Sequence, residues 1–122
     1  MARLLVLDVI GDKGFYEAEC NDLKDYYKEL KCDCFDIATR CIGGKYFDIF
    51  VDDNGLFVDD PIPSALDDSF NVMLVGNLIF ANHDDEGNTT SLSDEDIEMI
   101  KDAGIVLKNS KKVWTVVMPV QY

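Results

Sequence analysis

Between Tyr46 and Ile100 the chain carries fourteen Asp or Glu and not one Lys or Arg. Carboxylates with no cation nearby in sequence are costly to bury, so this window is expected to place its acidic doublets on turns and rims while its apolar runs build the interior. The acids fall accordingly. Asp52-Asp53, Asp59-Asp60, Asp67-Asp68 and Asp84-Asp85-Glu86 all sit between short apolar runs. Adjacent side chains point to opposite faces of a strand, so such doublets belong in turns rather than on a shared catalytic face.

The whole chain has 11 Lys and Arg against 24 Asp and Glu, a formal net charge of -13 over 122 residues. A field of that sign disfavours direct binding to nucleic acid or to an anionic membrane, both of which reward clustered cations. It leaves three uses open: a partner with a basic surface, a bound cation, or a solvated rim that keeps the fold soluble. A 48% hydrophobic content is that of a globular domain, and the length fits a single domain spanning 1–122. No apolar run reaches the roughly 20 residues of a membrane-spanning helix. The opening run from Leu4 to Leu7 meets Asp8 too early for a signal-peptide core and reads as a buried strand, so a cytoplasmic setting is expected. In that setting Cys20, Cys32, Cys34 and Cys41 are expected as free thiols packed like small hydrophobes. Cys32 and Cys34 lack the paired spacing of a structural zinc site, and His83 is far along the chain. No metal and no cofactor is expected.

The periodicities predict strands at 3–9, 15–19, 34–41 and 47–51. A helix is predicted at 22–31 with Asn21 as its cap. Asp52-Asp53-Asn54-Gly55 reads as a hairpin tip, and Pro61 and Pro63 mark an edge or loop. A short helical turn is expected at 64–68. The stretch from Val72 to Asn82 reads as one strand broken by a bulge at Gly76-Asn77. Ser93 caps a second helix with Asp94, Glu95 and Asp96 in its first turn and Gly104 at its end. Short strands at 105–107 and 113–117 close the chain as a C-terminal pair within 105–118. The expected fold is α+β: one mixed, mostly antiparallel sheet with two helices on one face.

Candidate sites are few. An acidic belt of Asp52, Asp53, Asp59, Asp60, Asp84, Asp85 and Glu86 offers a surface for a basic protein. An EF-hand reading fails on spacing, because loops counted back from Gly55 or Gly87 end on Pro61 or Ser93 where a Glu is required. Gly43-Gly44-Lys45 lacks the rest of a phosphate loop, with Tyr46 where Ser or Thr belongs. A ligand pocket is expected near Arg40, Gly44, Lys45 and Asn77. His83 beside Asp84 invites a catalytic dyad, but no nucleophile has a claim to join it, and no catalytic residue is assigned.

The middle of the chain carries an ordered set of motifs. Cys34 to Arg40 runs into Ile42-Gly43-Gly44-Lys45-Tyr46-Phe47-Asp48-Ile49. Asp52-Asp53-Asn54-Gly55-Leu56, Pro61 to Ala65, Met73 to Phe80 and Ser91 to Ile97 follow. Over about residues 2–100 this resembles a domain-of-unknown-function family of small acidic proteins carried by phages and conjugative elements of anaerobic Gram-positive bacteria. The resemblance implies a host-cytoplasmic, mobile-element setting and no reaction. The expected function is therefore a non-enzymatic accessory protein, anti-defence or regulatory, that binds a basic protein surface through the acidic belt. A small-ligand or divalent-metal binding module is the alternative. Two uses are open to the basic tail of Lys108, Lys111 and Lys112: homo-oligomer contacts, or docking on the acidic belt.

Overall fold

Four consecutive apolar residues, Leu4 to Leu7, point alternately to the two sides of one strand, and all four are fully buried. Both faces of that strand therefore need cover, and the fold supplies it in three layers. The computed structural model describes residues 2–11, 13–53, 62–108 and 114–121. In chain order the elements are β1 (Ala2–Asp8), β2 (Gly14–Cys20), α1 (Leu23–Leu30), β3 (Phe35–Ile42), β4 (Lys45–Asp52), β5 (Pro63–Leu66) and β6 (Val72–Val75). Then come β7 (Leu78–His83), β8 (Thr89–Thr90), α2 (Asp94–Ala103), β9 (Ile105–Lys108) and β10 (Trp114–Pro119).

The larger sheet has the order β2-β1-β7-β4-β3, antiparallel throughout, with β8 pairing the far end of β7. On one face, Leu4, Val6, Phe50, Ile79 and Ala81 pack under Tyr26 and Leu30 of α1. Aromatic contacts fix that helix. The Tyr26 ring centre lies 4.7 Å from that of Phe50 and 5.6 Å from that of Phe35. On the other face, Leu5, Leu7, Phe47, Ile49, Leu78 and Phe80 pack against Ile97 and Ile100 of α2.

A smaller sheet, β6-β5-β10-β9, shares that second face and contributes Ala65 and Met118 to its core. Its β5 and β10 are parallel, and its other pairs are antiparallel. Gln121 ties its end to β3 through backbone bonds with Cys41 of 2.7 and 3.0 Å.

The α+β class is observed, but the expected single sheet is two, and the helices flank opposite faces of the larger one. The reason lies at Gly76-Asn77. Instead of bulging one strand, these residues pass the chain from the small sheet to the large one. Gly76 adopts φ 78°, and its N–H donates to Ile62 O at 2.9 Å. Asn77 is fully buried. Its Oδ1 accepts from the N–H of Val9 (2.9 Å) and Ile10 (3.0 Å), and its Nδ2 donates to Glu29 O at 3.1 Å. One amide thus pins the turn after β1, the end of α1 and the start of β7. The helical turn expected at 64–68 is instead β5, with Pro63 as its first residue, where a missing N–H is tolerated. The cap of α1 is Asp22 rather than Asn21. The Asn54-Gly55 hairpin tip lies outside the described residues.

Two loops repeat one design. In Asp67-Asp68-Ser69-Phe70-Asn71 the first carboxylate accepts from the backbone N–H of Ser69 and Asn71, both at 2.9 Å, and from the Asn71 side chain. In Asp84-Asp85-Glu86-Gly87-Asn88 the same bonds recur at Glu86 (3.0 Å) and Asn88 (2.8 Å). The fourth position is left-handed in both, at φ 63° for Phe70 and 85° for Gly87.

Replacing Asn77 with Ala should cost about 3 kcal/mol in urea unfolding, because it leaves three backbone groups on two segments, the turn after β1 and the end of α1, without their partner. Gly87→Ala should cost about 1 kcal/mol for conformational reasons alone, since nothing lies within 4 Å of an added Cβ.

Candidate functional site

Antiparallel pairing sorts the charges of the larger sheet to its two ends. The start of β1, the end of β2, the start of β4 and the end of β7 share one end. Both helices also begin there, α1 directly after β2 and α2 after β8. Helix starts favour acids, so each brings carboxylates with it. Glu17 and Glu19 of β2, Asp22 before α1, Asp84 to Glu86 of the β7–β8 loop, and Asp94 and Glu95 of α2 are all exposed there.

Two cations at this end are already engaged. Arg3 bonds Glu17 and, at 2.7 Å, Asp94. Lys45, whose Nζ lies 5.3 Å from the Phe47 ring centre, reaches the buried Asp96 at 2.6 Å.

Asp96 holds the end together. Its Oδ2 also accepts from Asn82 Nδ2 at 2.8 Å and from the N–H of Ser93 at 3.2 Å, while Ser93 Oγ accepts from the Asp96 N–H at 3.1 Å. This is a capping box whose carboxylate is shared with two strands of the sheet. Burial alone would raise its pKa. The Lys45 ammonium, the Asn82 amide and the Ser93 donors outweigh that and lower it to about 2. The close turn at Gly43-Gly44 makes room for α2, since a Cβ on Gly43 would lie 3.2 Å from Met99.

The expected belt divides between the ends. Asp84, Asp85 and Glu86 stand at the acidic end, whereas Asp52 and Asp53 close β4 at the other. Asp59 and Asp60 lie outside the described residues. Asp84 is also spent on its own loop, where hydrogen bonds from Asn88 and Glu86 lower its pKa. The expected pocket divides as well. Gly44 and Lys45 sit at the acidic end, and Arg40 pairs opposite Phe47 close by. Asn77 is buried at the far end, seven strand residues from Lys45 by register, ~23 Å at ~3.3 Å per residue. These four residues form no common pocket.

His83 pairs not with Asp84 but with Asp48, Nδ1 to Oδ2 at 2.9 Å. Thr39 donates to the other Asp48 oxygen at 2.9 Å. Neighbour-based reading missed this trio because its members come from three strands. The β4–β7 register, Asp48 opposite Ala81, is what brings them together. The four cysteines are free, and burial pushes the Cys20 and Cys32 thiols up to about 11. Among the described residues no group of three or more His, Cys, Asp or Glu is placed to hold a metal ion, and no helix is long and apolar enough to cross a membrane.

Compared with known families, residues 3–104 match a domain of unknown function, DUF3846. The chain belongs to this family. The match takes in β1 to α2 and therefore both the Asp96 clamp and the Asn77 hub, leaving β9 and β10 beyond it. No curated protein and no solved structure matches the chain.

The depressed pKa of Asp96 sets a pH dependence. Its stabilising effect is complete above the unfolded value of 3.8 and is lost as pH falls from there toward 2. Stability should drop by about 2 kcal/mol over that interval on account of this group. The drop should shrink by that amount in Asp96→Asn, measured by urea unfolding at a series of acid pH values.

Proposed function

We propose that this DUF3846 domain is a non-enzymatic binding protein that meets a basic protein surface through its acidic end. One observation carries the reading: two helix starts, the end of β2 and the β7–β8 loop bring their carboxylates to the same end of the sheet, with Arg3 and Lys45 already paired there. Such a surface steers a cationic partner at long range and loses strength with salt. The site so defined keeps Asp84, Asp85 and Glu86 of the expected belt and adds the helix starts. The family resemblance supports the setting, an accessory protein of a phage or conjugative element acting in the host cytoplasm in an anti-defence or regulatory role.

The test is salt-dependent capture of a partner from host lysate by the intact chain. Reversing Asp85, Glu86 and Glu95 to Lys should abolish capture. Reversing Asp33 and Asp53, at the other end of the sheet, should leave it intact, and capture by the unaltered chain should fade near ~1 M salt, where the screening length is ~3 Å. Equal capture by both variants, or a partner retained at high salt, would refute the proposal.

A further inference from the structure

At the end of the larger sheet opposite the acidic one, the turn after β1 and the last turn of α1 border an open cleft of about 520 Å³. It is lined by Lys13, Tyr16, Lys28, Glu29 and Lys31. The chain has only 11 Lys and Arg, and three of them face this one cleft. Their origins differ. Lys28 suits the negative end of the α1 dipole. Lys13 comes from a separate element and owes nothing to that helix. Lys31 is the helix cap and is held left-handed at φ 55°, a position that glycine ordinarily takes.

The conformation of Lys31 brings its ammonium 3.9 Å from the buried carboxylate of Asp8. The turn accommodates this because residue 11 is glycine: a Cβ there would lie 2.6 Å from Asp8 Oδ2 and 2.9 Å from Lys31 Nζ. The Glu29 carboxylate accepts a hydrogen bond from the Tyr16 hydroxyl. Three ammonium groups thus face two carboxylates, each already engaged, which leaves a positive site in a chain of net charge -13. Lys13 also lies over the Tyr16 ring, 6.0 Å from its centre.

From this juxtaposition we infer a binding site for the phosphate group of a small phosphate-bearing molecule. Lys13 and Lys28 supply the ammonium contacts, the Lys31–Asp8 pair forms the floor, and the Tyr16 ring supports the rest of the ligand. Lysine is a compact, strongly donating point charge suited to phosphate oxygens. The site lies away from the acidic end and does not depend on the protein-binding role.

The test is an amide NMR titration of the full chain with inorganic phosphate and with adenosine monophosphate at constant ionic strength. Saturable shifts confined to residues 11–16 and 28–32 are expected. Lys13→Met and Lys28→Met should each weaken binding about tenfold or more, while Lys24→Met, on the same helix, should not. Thermal unfolding of the exposed-lysine variants confirms that they fold. Saturation by inorganic phosphate alone identifies the free ion as ligand, and tighter saturation by the nucleotide identifies a phosphate ester; either result supports the site. Absence of saturable shifts up to about 10 mM of both probes, or equal weakening by Lys24→Met, overturns it.

Discussion

The carboxylate of Asp96 is where this fold commits its charge. A buried acid is expensive unless every lone pair is used and an opposite charge stands beside it. Here one oxygen takes the Lys45 ammonium, and the other takes the Asn82 amide and the Ser93 N–H. Those partners belong to β4, β7 and the cap of α2. The arrangement therefore does more than start a helix. It fixes where α2 begins relative to the larger sheet, and with it the position of Asp94 and Glu95. The acidic end follows from that placement, since the strand order alone would leave the helix free to begin elsewhere on its face.

Asn77 does the matching work at the other end. Its amide joins the turn after β1 to the last turn of α1, and those are the two segments that border the lysine cleft. Two buried polar hubs, one at each end of the same sheet, thus organise two surfaces of opposite character. The sheet between them is covered on both faces by apolar clusters that contain little but packing. The chemistry open to the molecule lies at its ends.

Much of this was legible in the residues. Most strands were visible as apolar runs, though not β5 or β8, with Ser93 and Gly104 as the limits of α2 and Asp67-Asp68 and Asp84-Asp85 as turns. The number of layers was legible too, though it was misread: four consecutive buried residues in β1 demand cover on both faces, which a single sheet with both helices on one side does not provide. Less accessible was the role of Gly76-Asn77, because a kinked strand and a passage between two sheets share one local signature. The belt failed as a single patch for a geometric reason. The acids at the end of β4 and those after β7 stand at opposite ends of one antiparallel pair. The twin loops could have been found by aligning Asp67 to Asn71 with Asp84 to Asn88, which share Asp-Asp at the start and Asn at the end. Lys45–Asp96 and Asp48–His83 join residues 51 and 35 apart, the first brought together by the packing of α2 on the sheet and the second by the β4–β7 register.

The most direct measurement is a site-resolved carbon NMR titration of the Asp96 side-chain carboxyl in the folded protein. The account predicts that it stays ionised down to a pKa of about 2, below the ordinary 3.8, and that its midpoint rises when Lys45 is replaced by Met. An Asp96 carboxyl that titrates alongside the solvated acids, indifferent to Lys45, would contradict the clamp and with it the placement of the acidic end.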